Sequence, residues 1–428
     1  MPAPLRLGIA GLGTVGAAVV RLLQGEAARI AARAGRAVAV TAVTARDRAR
    51  PRDIDLAGCA WADTPVALAT RPDIDVFVEL IGGDDGPARA AVLAALAAGK
   101  DVVTANKALL AHHGQAIAEA AEAAGRVVRF EAAVAGGIPV IKALAEGLAG
   151  NRIRRVMGVM NGTCNYILTR MEEAGLPYAA VFEEARGLGY LEADPRLDVD
   201  GIDAAHKLAL LAAIAFGTRV RFDAVQIEGI GRVRIEDIRH AGELGYRIKL
   251  LGVAQVTGRG LEQRMAPCLV PAASALGQLR GGTNMVVLEG EAAGQIVLRG
   301  AGAGAGPTAS AVLADLIDIA RGNRYPMFGL PARQLAEPQP AAVAAPAPYY
   351  LRMDLVDKPG ALAKVATVLG DAGVSIDRMR QRAHEAAIAP VLIVTHRCAP
   401  DAIAHALAAF PATGVVAAEP VAIRIEAE

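Results

Sequence analysis

An apolar strand, Leu5 to Ala10, runs straight into Gly11-Leu12-Gly13-Thr14-Val15-Gly16, and an apolar helix follows to about Leu23. Strand, glycine turn and helix in this order commit the chain to a βαβ unit. The first glycine permits the tight turn, the second lets the backbone approach a pyrophosphate, and the third lets helix and strand pack closely. The phosphates then meet the free N–H groups of the helix N-terminus. Gly11, Gly13, Thr14, Val15 and Gly16 are therefore candidate dinucleotide contacts.

The alternation continues with strands at Val38–Val43, Asp75–Leu80, Asp101–Thr104 and Val127–Phe130 and helices at Pro87–Ala98 and Ala108–Ala124. That pattern predicts a doubly wound parallel sheet with its functional residues at the C-terminal strand ends. The second strand ends in Thr44-Ala45-Arg46-Asp47-Arg48. Arg46 and Arg48 suit a 2′-phosphate, since a guanidinium holds phosphate oxygens in bidentate fashion, so NADP is expected; Asp47 leaves NAD open. Glu79-Leu-Ile-Gly82-Gly83 and Thr104-Ala-Asn106-Lys107 occupy two further strand ends. There a cation such as Lys107 is better explained by substrate or cofactor than by a surface role.

The most chemically loaded stretch is Gly187 to Phe216, GLGYLEADPRLDVDGIDAAHKLALLAAIAF. From Gly201 it reads as a helix, with Asp203 and Lys207 one turn apart on the same face. Such a pair is commonly a solvated surface contact, and Asp200 reads as an ordinary N-cap. The nine uncharged residues after Lys207 argue otherwise, because a helix apolar all round is buried and carries its charged pair inward. Glu192, Asp194 and Asp198 add carboxylates upstream. Acids converging on a partly buried lysine make a site for a substrate that bears an ammonium group and exchanges a proton.

Two more turns matter. Glu131-Ala-Ala-Val134-Ala-Gly136-Gly-Ile138-Pro139 offers a carboxylate and carbonyls, an oxygen-only surrounding that suits a hard cation or is a plain tight turn. Gly300-Ala-Gly302-Ala-Gly304-Ala-Gly306-Pro307 opens a helix to Ala320 and is expected to approach the cofactor from the side opposite the first glycine turn. The second region should also hold strands at Ile153–Met160, Arg247–Val256, Leu261–Pro267, Asn284–Glu289 and Gln295–Arg299. After the Pro/Ala stretch Gln334–Pro348, expected to be extended and semi-rigid, comes a separate βαββαβ unit with its last strand at Val415–Ile425.

With 428 residues the chain exceeds one core. Its net charge of +1 excludes a nucleic-acid or anionic-membrane partner held by bulk electrostatics. Four scattered cysteines form no CxxC pair and fit a reducing cytoplasm. No signal peptide or membrane span is expected.

Taken in order, GLGTVG, VELIGG, TANKALLA, EAAVAGGIPVI, NGTCNYIL, GYLEADPRLDVDGIDAAHKLALL and GAGAGAGPTASAV closely resemble homoserine dehydrogenase, and DLVDKPGALAKVATVLGDAGVSID resembles an ACT domain. The resemblance covers nearly the whole chain. It implies an α/β fold with a Rossmann-like domain over 1–135 completed by 305–325. An inserted α+β catalytic and dimerisation domain would cover 136–304, a connecting segment 326–347, and a ferredoxin-like ACT domain 348–428. It also implies reversible, NAD(P)-dependent interconversion of L-aspartate 4-semialdehyde and L-homoserine, on the route to threonine, methionine and isoleucine. Lys207 is then the proton donor and Lys107 the second lysine. Glu192, Asp198 and Asp203 hold substrate; Thr104, Lys107, Gly189, Gly302 and Gly304 join the cofactor contacts. Glu131 with the carbonyls of Val134, Gly136 and Ile138 becomes a monovalent-cation site, sodium being the expected ion. Cys164 stands where the motif often has Thr, and Leu197 where some members have an acid. At the Asp357–Gly360 turn the ACT unit would take L-threonine as an allosteric effector, in a homodimer or homotetramer. The alternatives are another NADP-dependent oxidoreductase of amino-acid-like substrates, or a non-catalytic nucleotide and amino-acid sensor.

Overall fold

The computed structural model describes residues 2–191, 194–381 and 387–426. Six strands, β1 (Leu5–Ala10), β2 (Val38–Thr44), β3 (Ala60–Trp61), β4 (Val76–Glu79), β5 (Asp101–Thr104) and β6 (Val128–Arg129), form one sheet in the order β3-β2-β1-β4-β5-β6. Every pairing is parallel, so both faces must be covered. The strand period of two does this: Val76 and Val78 pack with Val19, Val20, Val312 and Leu316, whereas Phe77 and Val102 pack with Val92, Leu109 and Ile117. The first group belongs to helices Thr14–Gly25 and Ala305–Ala320, so the late helix does return to the nucleotide-binding sheet.

The next strands are β7 (Ile153–Val159), the short β8 (Gln226–Ile227), β9 (Tyr246–Thr257), β10 (Gly260–Pro271), β11 (Asn284–Gly290) and β12 (Gly294–Gly300). The ACT-like unit contributes β13 (Tyr349–Val356), β14 (Ile376–Gln381), β15 (Ile388–Thr395) and β16 (Val421–Ile425). Its spatial order β16-β13-β15-β14 is that of a ferredoxin-like sheet.

Two expectations are corrected. The last strand begins at Val421 and not at Val415, although Val416 makes an isolated bridge to Leu355. Nor is the C-terminal unit separate: β16 pairs in parallel with β10, Cys268 opposite Arg424 and Leu269 opposite Ile425, and the two sheets become one. Buried ion pairs clamp this seam, Arg352 Nε to Asp237 Oδ1 at 2.6 Å and Arg264 between Glu262 and Glu426. The Pro/Ala segment is extended but anchored: Leu261 N donates to Gln339 O at 2.8 Å and Ala341 N to Leu261 O at 2.9 Å.

Candidate active site

The helix Ile202–Phe216 forms where expected and is buried from Ala204 to Ala213. Its N-cap is Gly201, with φ +81°, and not Asp200. Asp200 ends a short helix, Arg196–Val199, that folds inside the acidic loop. That helix turns Asp198 inward, where Oδ1 accepts from Asn161 Nδ2 at 3.1 Å. Cys164, at its variant position, keeps a donor: Sγ–H donates to Asp198 O at 3.2 Å.

Asp203 sits between two ammonium groups. Its Oδ2 is 2.7 Å from Lys207 Nζ, and its Oδ1 is 2.8 Å from Lys107 Nζ. Lys207 also donates to the Met160 carbonyl at 3.0 Å. Burial penalises the Asp203 charge, yet the two lysines outweigh it and hold the carboxyl well below the usual carboxylate range. Two ammonium groups held on one carboxylate can oppose negative charge developing on a reacting oxygen. Lys107 opens the helix Lys107–Ala123, which Asn106 caps through Oδ1 on Leu109 N at 3.1 Å. The neighbouring strand ends are stitched by Glu79, fully buried: Oε2 accepts from Thr104 Oγ1 at 2.5 Å and Oε1 from Ile81 N at 2.7 Å. Thr104 thereby braces the strand ends that present Lys107.

On this same C-terminal edge of the sheet lies a cleft of about 480 Å³, lined among others by Gly11, Gly13, Thr44, Arg46, Arg50 and Leu80. The glycines divide their labour. A Cβ at Gly11 would lie 2.4 Å from the Leu80 carbonyl oxygen, and one at Gly16 2.0 Å from that of Gly11. At Gly13 it would meet nothing within 4 Å, so no protein contact requires that glycine. The helix Thr14–Gly25 has no side-chain cap, and the N–H groups of Thr14 and Val15 begin it. A dinucleotide pyrophosphate fits this open turn. Arg46 faces the cleft, whereas the Arg48 guanidinium lies 4.9 Å from the Trp61 ring centroid. Arg50 and Arg52 also line it, which local spacing did not suggest; Arg52 braces the loop by donating to Leu12 O at 3.1 Å.

Gly302 is closely packed: a Cβ there would lie 1.9 Å from Asn284 Nδ2, and one on Gly136 2.6 Å from Gly302 O. Gly304 takes φ +119° at the start of Ala305–Ala320. Gly189, φ +76°, precedes Tyr190, whose ring stacks on Tyr166 at 4.4 Å and whose carbonyl accepts from Thr163 Oγ1 at 2.9 Å. Glu192 lies outside the described residues.

Glu131 is buried, accepts from Ile141 N and Lys142 N at 2.9 Å each, and has no ion pair among the described residues. Burial raises its pKa. Asp315, behind it, accepts from Glu131 N at 2.9 Å and is pushed up to about 8 by burial and the Glu131 charge. Two acids short of positive charge suit a cation on Glu131 and the adjoining carbonyls of Val134, Gly136 and Ile138. Asp357 and Gly360 lie exposed on the turn that opens the helix Ala361–Asp371, with Gly360 at φ +83°.

Three segments match family models: residues 11–131 the NAD-binding domain of homoserine dehydrogenase, 139–317 homoserine dehydrogenase itself, and 349–410 the ACT domain. The chain is 45% identical over 437 residues to a homoserine dehydrogenase of Pseudomonas aeruginosa, covering 99% of each. It superposes on a homoserine dehydrogenase from Thiobacillus denitrificans with TM-score 0.94 and 42% identity, again covering 99% of both chains. A hyperthermophilic archaeal homoserine dehydrogenase mutant in complex with NADPH is similar over 74% of this chain and 97% of its own, with TM-score 0.63 and 27% identity.

Proposed function

The chain belongs to the homoserine dehydrogenase family, and from that premise we propose that Lys207, Asp203 and Lys107 carry the NAD(P)-dependent interconversion of L-aspartate 4-semialdehyde and L-homoserine. The observation that bears the reading is the single carboxylate bridging two ammonium groups on the sheet edge that also bears the dinucleotide cleft. Family and relatives favour this function over the other oxidoreductase and the non-catalytic sensor.

The dinucleotide, when bound, supplies hydride from nicotinamide C4 to the aldehyde carbon. Lys207 then stabilises the alkoxide that develops and donates the proton that completes the alcohol; in the reverse direction it accepts that proton. Asp203 fixes the amine, which also donates to Met160 O. Lys107 adds the second positive charge, and Asp198 and Glu192 hold the substrate ammonium. Arg46, in the cleft, selects a 2′-phosphate and so NADP. Glu131 with the carbonyls of Val134, Gly136 and Ile138 holds a monovalent cation, sodium by expectation, that neutralises the buried acids. The protein works in the cytoplasm as a homodimer or homotetramer, with L-threonine binding near Asp357 and Gly360 and shifting the enzyme between states.

The deciding experiment assays the purified chain with homoserine and NADP at varied threonine. Turnover followed as nicotinamide absorbance, and lost in Lys207→Ala, supports the assignment. Turnover unaffected by that substitution rejects it. A Kd for NADPH equal to that for NADH would remove Arg46 from its role, and threonine inhibition unchanged in Asp357→Ala would remove the regulatory turn.

A further inference from the structure

The nucleotide-binding sheet has a second charged cleft at its opposite end, where the strands begin. It holds about 450 Å³ and is bounded by Leu5 at the start of β1, Asp101 at the start of β5, and the end of the helix Ala305–Ala320. Six basic side chains and two acids meet in and just behind it. Each acid is already committed: Asp75 pairs with Arg6 at 2.7 Å, and Asp101 with Arg324 at 2.8 Å. That leaves Arg36, Lys100, Arg126 and Arg321, none with a carboxylate within 4 Å among the described residues.

Their remaining contacts are sparse. Lys100 Nζ donates to Ile74 O and Arg321 Nε to Arg33 O, both at 2.7 Å. Arg36 Nε is buried with no hydrogen-bond partner. No side-chain hydrogen bond ties down Arg126 among the described residues; its guanidinium lies near Gly99, 3.7 Å from where a Cβ would stand. Helix C-termini explain part of this gathering, since Pro87–Ala97, Lys107–Ala123 and Ala305–Ala320 all end here. Each contributes about −0.5 of an elementary charge. Three such ends offset less than half of four cations.

We propose that this cleft is a binding site for a small molecule carrying two or more phosphate groups, distinct from the dinucleotide crevice. Its volume falls in the range of small-molecule sites. Guanidinium groups present paired donors that match phosphate oxygens, and converging unpaired cations need a multivalent anion more than a monovalent one. Among the described residues no aromatic side chain lines the cleft, so recognition rests on charge and not on base stacking. The site lies across the sheet from Gly11, Thr44 and Leu80, so its ligand and the cofactor bind together.

The test is isothermal titration of inorganic pyrophosphate into full-length protein saturated with NADPH, at fixed ionic strength. One site is expected, with affinity falling at least tenfold in Arg36→Gln and in Arg126→Gln, while turnover without pyrophosphate stays at the parent level in both. Arg126 is exposed, so its variant keeps the test interpretable even if Arg36→Gln misfolds. Binding abolished by NADPH would place the anion in the cofactor crevice and overturn the proposal. Affinity unchanged in Arg126→Gln would overturn it too, as would uptake of an acidic peptide by protein that ignores pyrophosphate.

Discussion

The ammonium of Lys207 lies 2.7 Å from Oδ2 of Asp203, one helical turn away on the same buried face. Because the other carboxylate oxygen is 2.8 Å from Lys107, removing the charge at Asp203 sets two ammonium groups against each other. Asp203→Asn should lower kcat/KM by at least about a hundredfold, the lower bound for loss of a positioned proton donor. Breaking a buried pair this way also costs on the order of 3–5 kcal/mol. Steady-state kinetics and urea unfolding measure both; parent-like kcat/KM would remove Asp203 from the site.

Lys207 and Asp203 were legible because their relationship is local: four residues apart on a helix whose apolar run announces burial. The bridge to Lys107 was not, since 96 positions of chain separate Lys107 from Asp203 and only the packed helices bring them together. The cap was misread for a physical reason. Asp200 has the right chemistry, but Gly201 alone reaches φ +81° without strain where the short helix Arg196–Val199 turns into the next. The strand pair β10–β16 joins residues more than 150 positions apart, and nothing in either strand's alternation marks its partner. The glycine turn was legible because strand, turn and helix are contiguous, although Gly11 answers to the Leu80 carbonyl 69 positions on and Gly13 to no protein atom within 4 Å.

Gly13→Ala separates folding from cofactor binding. Gly13 has φ −76° and open space where a Cβ would stand, so Tm should move by less than about 2 °C. The added methyl occupies the space a pyrophosphate needs, and the KM for NADPH should rise tenfold or more. Gly16→Ala, blocked by the Gly11 carbonyl, should instead destabilise the fold.

His206, beside Lys207, is pushed down to about 4 by burial first and His112 second, with Asp203, Lys107 and Asp84 also facing it. Its folded value lies below the unfolded one of about 6.5, so the unfolded chain takes up the proton first as pH falls. Stability should therefore decline between pH 6.5 and 4. His206→Asn should flatten that limb, read as the urea midpoint against pH; an unchanged slope would assign the acid sensitivity elsewhere.

The seam between the catalytic and ACT sheets should behave as core. Asp237 is fully buried and depends on Arg352, 2.6 Å away. Arg352→Met strands that carboxylate and should cost on the order of 3–5 kcal/mol. Denaturant midpoints test it, and a loss under 1 kcal/mol would mean the pair adds little.

Lys207 as the proton donor is the role on which the proposed reaction depends. Its most direct test is the single-turnover rate of Lys207→Ala with NADPH and aspartate 4-semialdehyde, alongside NADPH affinity by fluorescence. Hydride transfer should be slowed by about a hundred- to ten-thousand-fold with cofactor affinity within twofold of the parent. Transfer at the parent rate in that variant would contradict it.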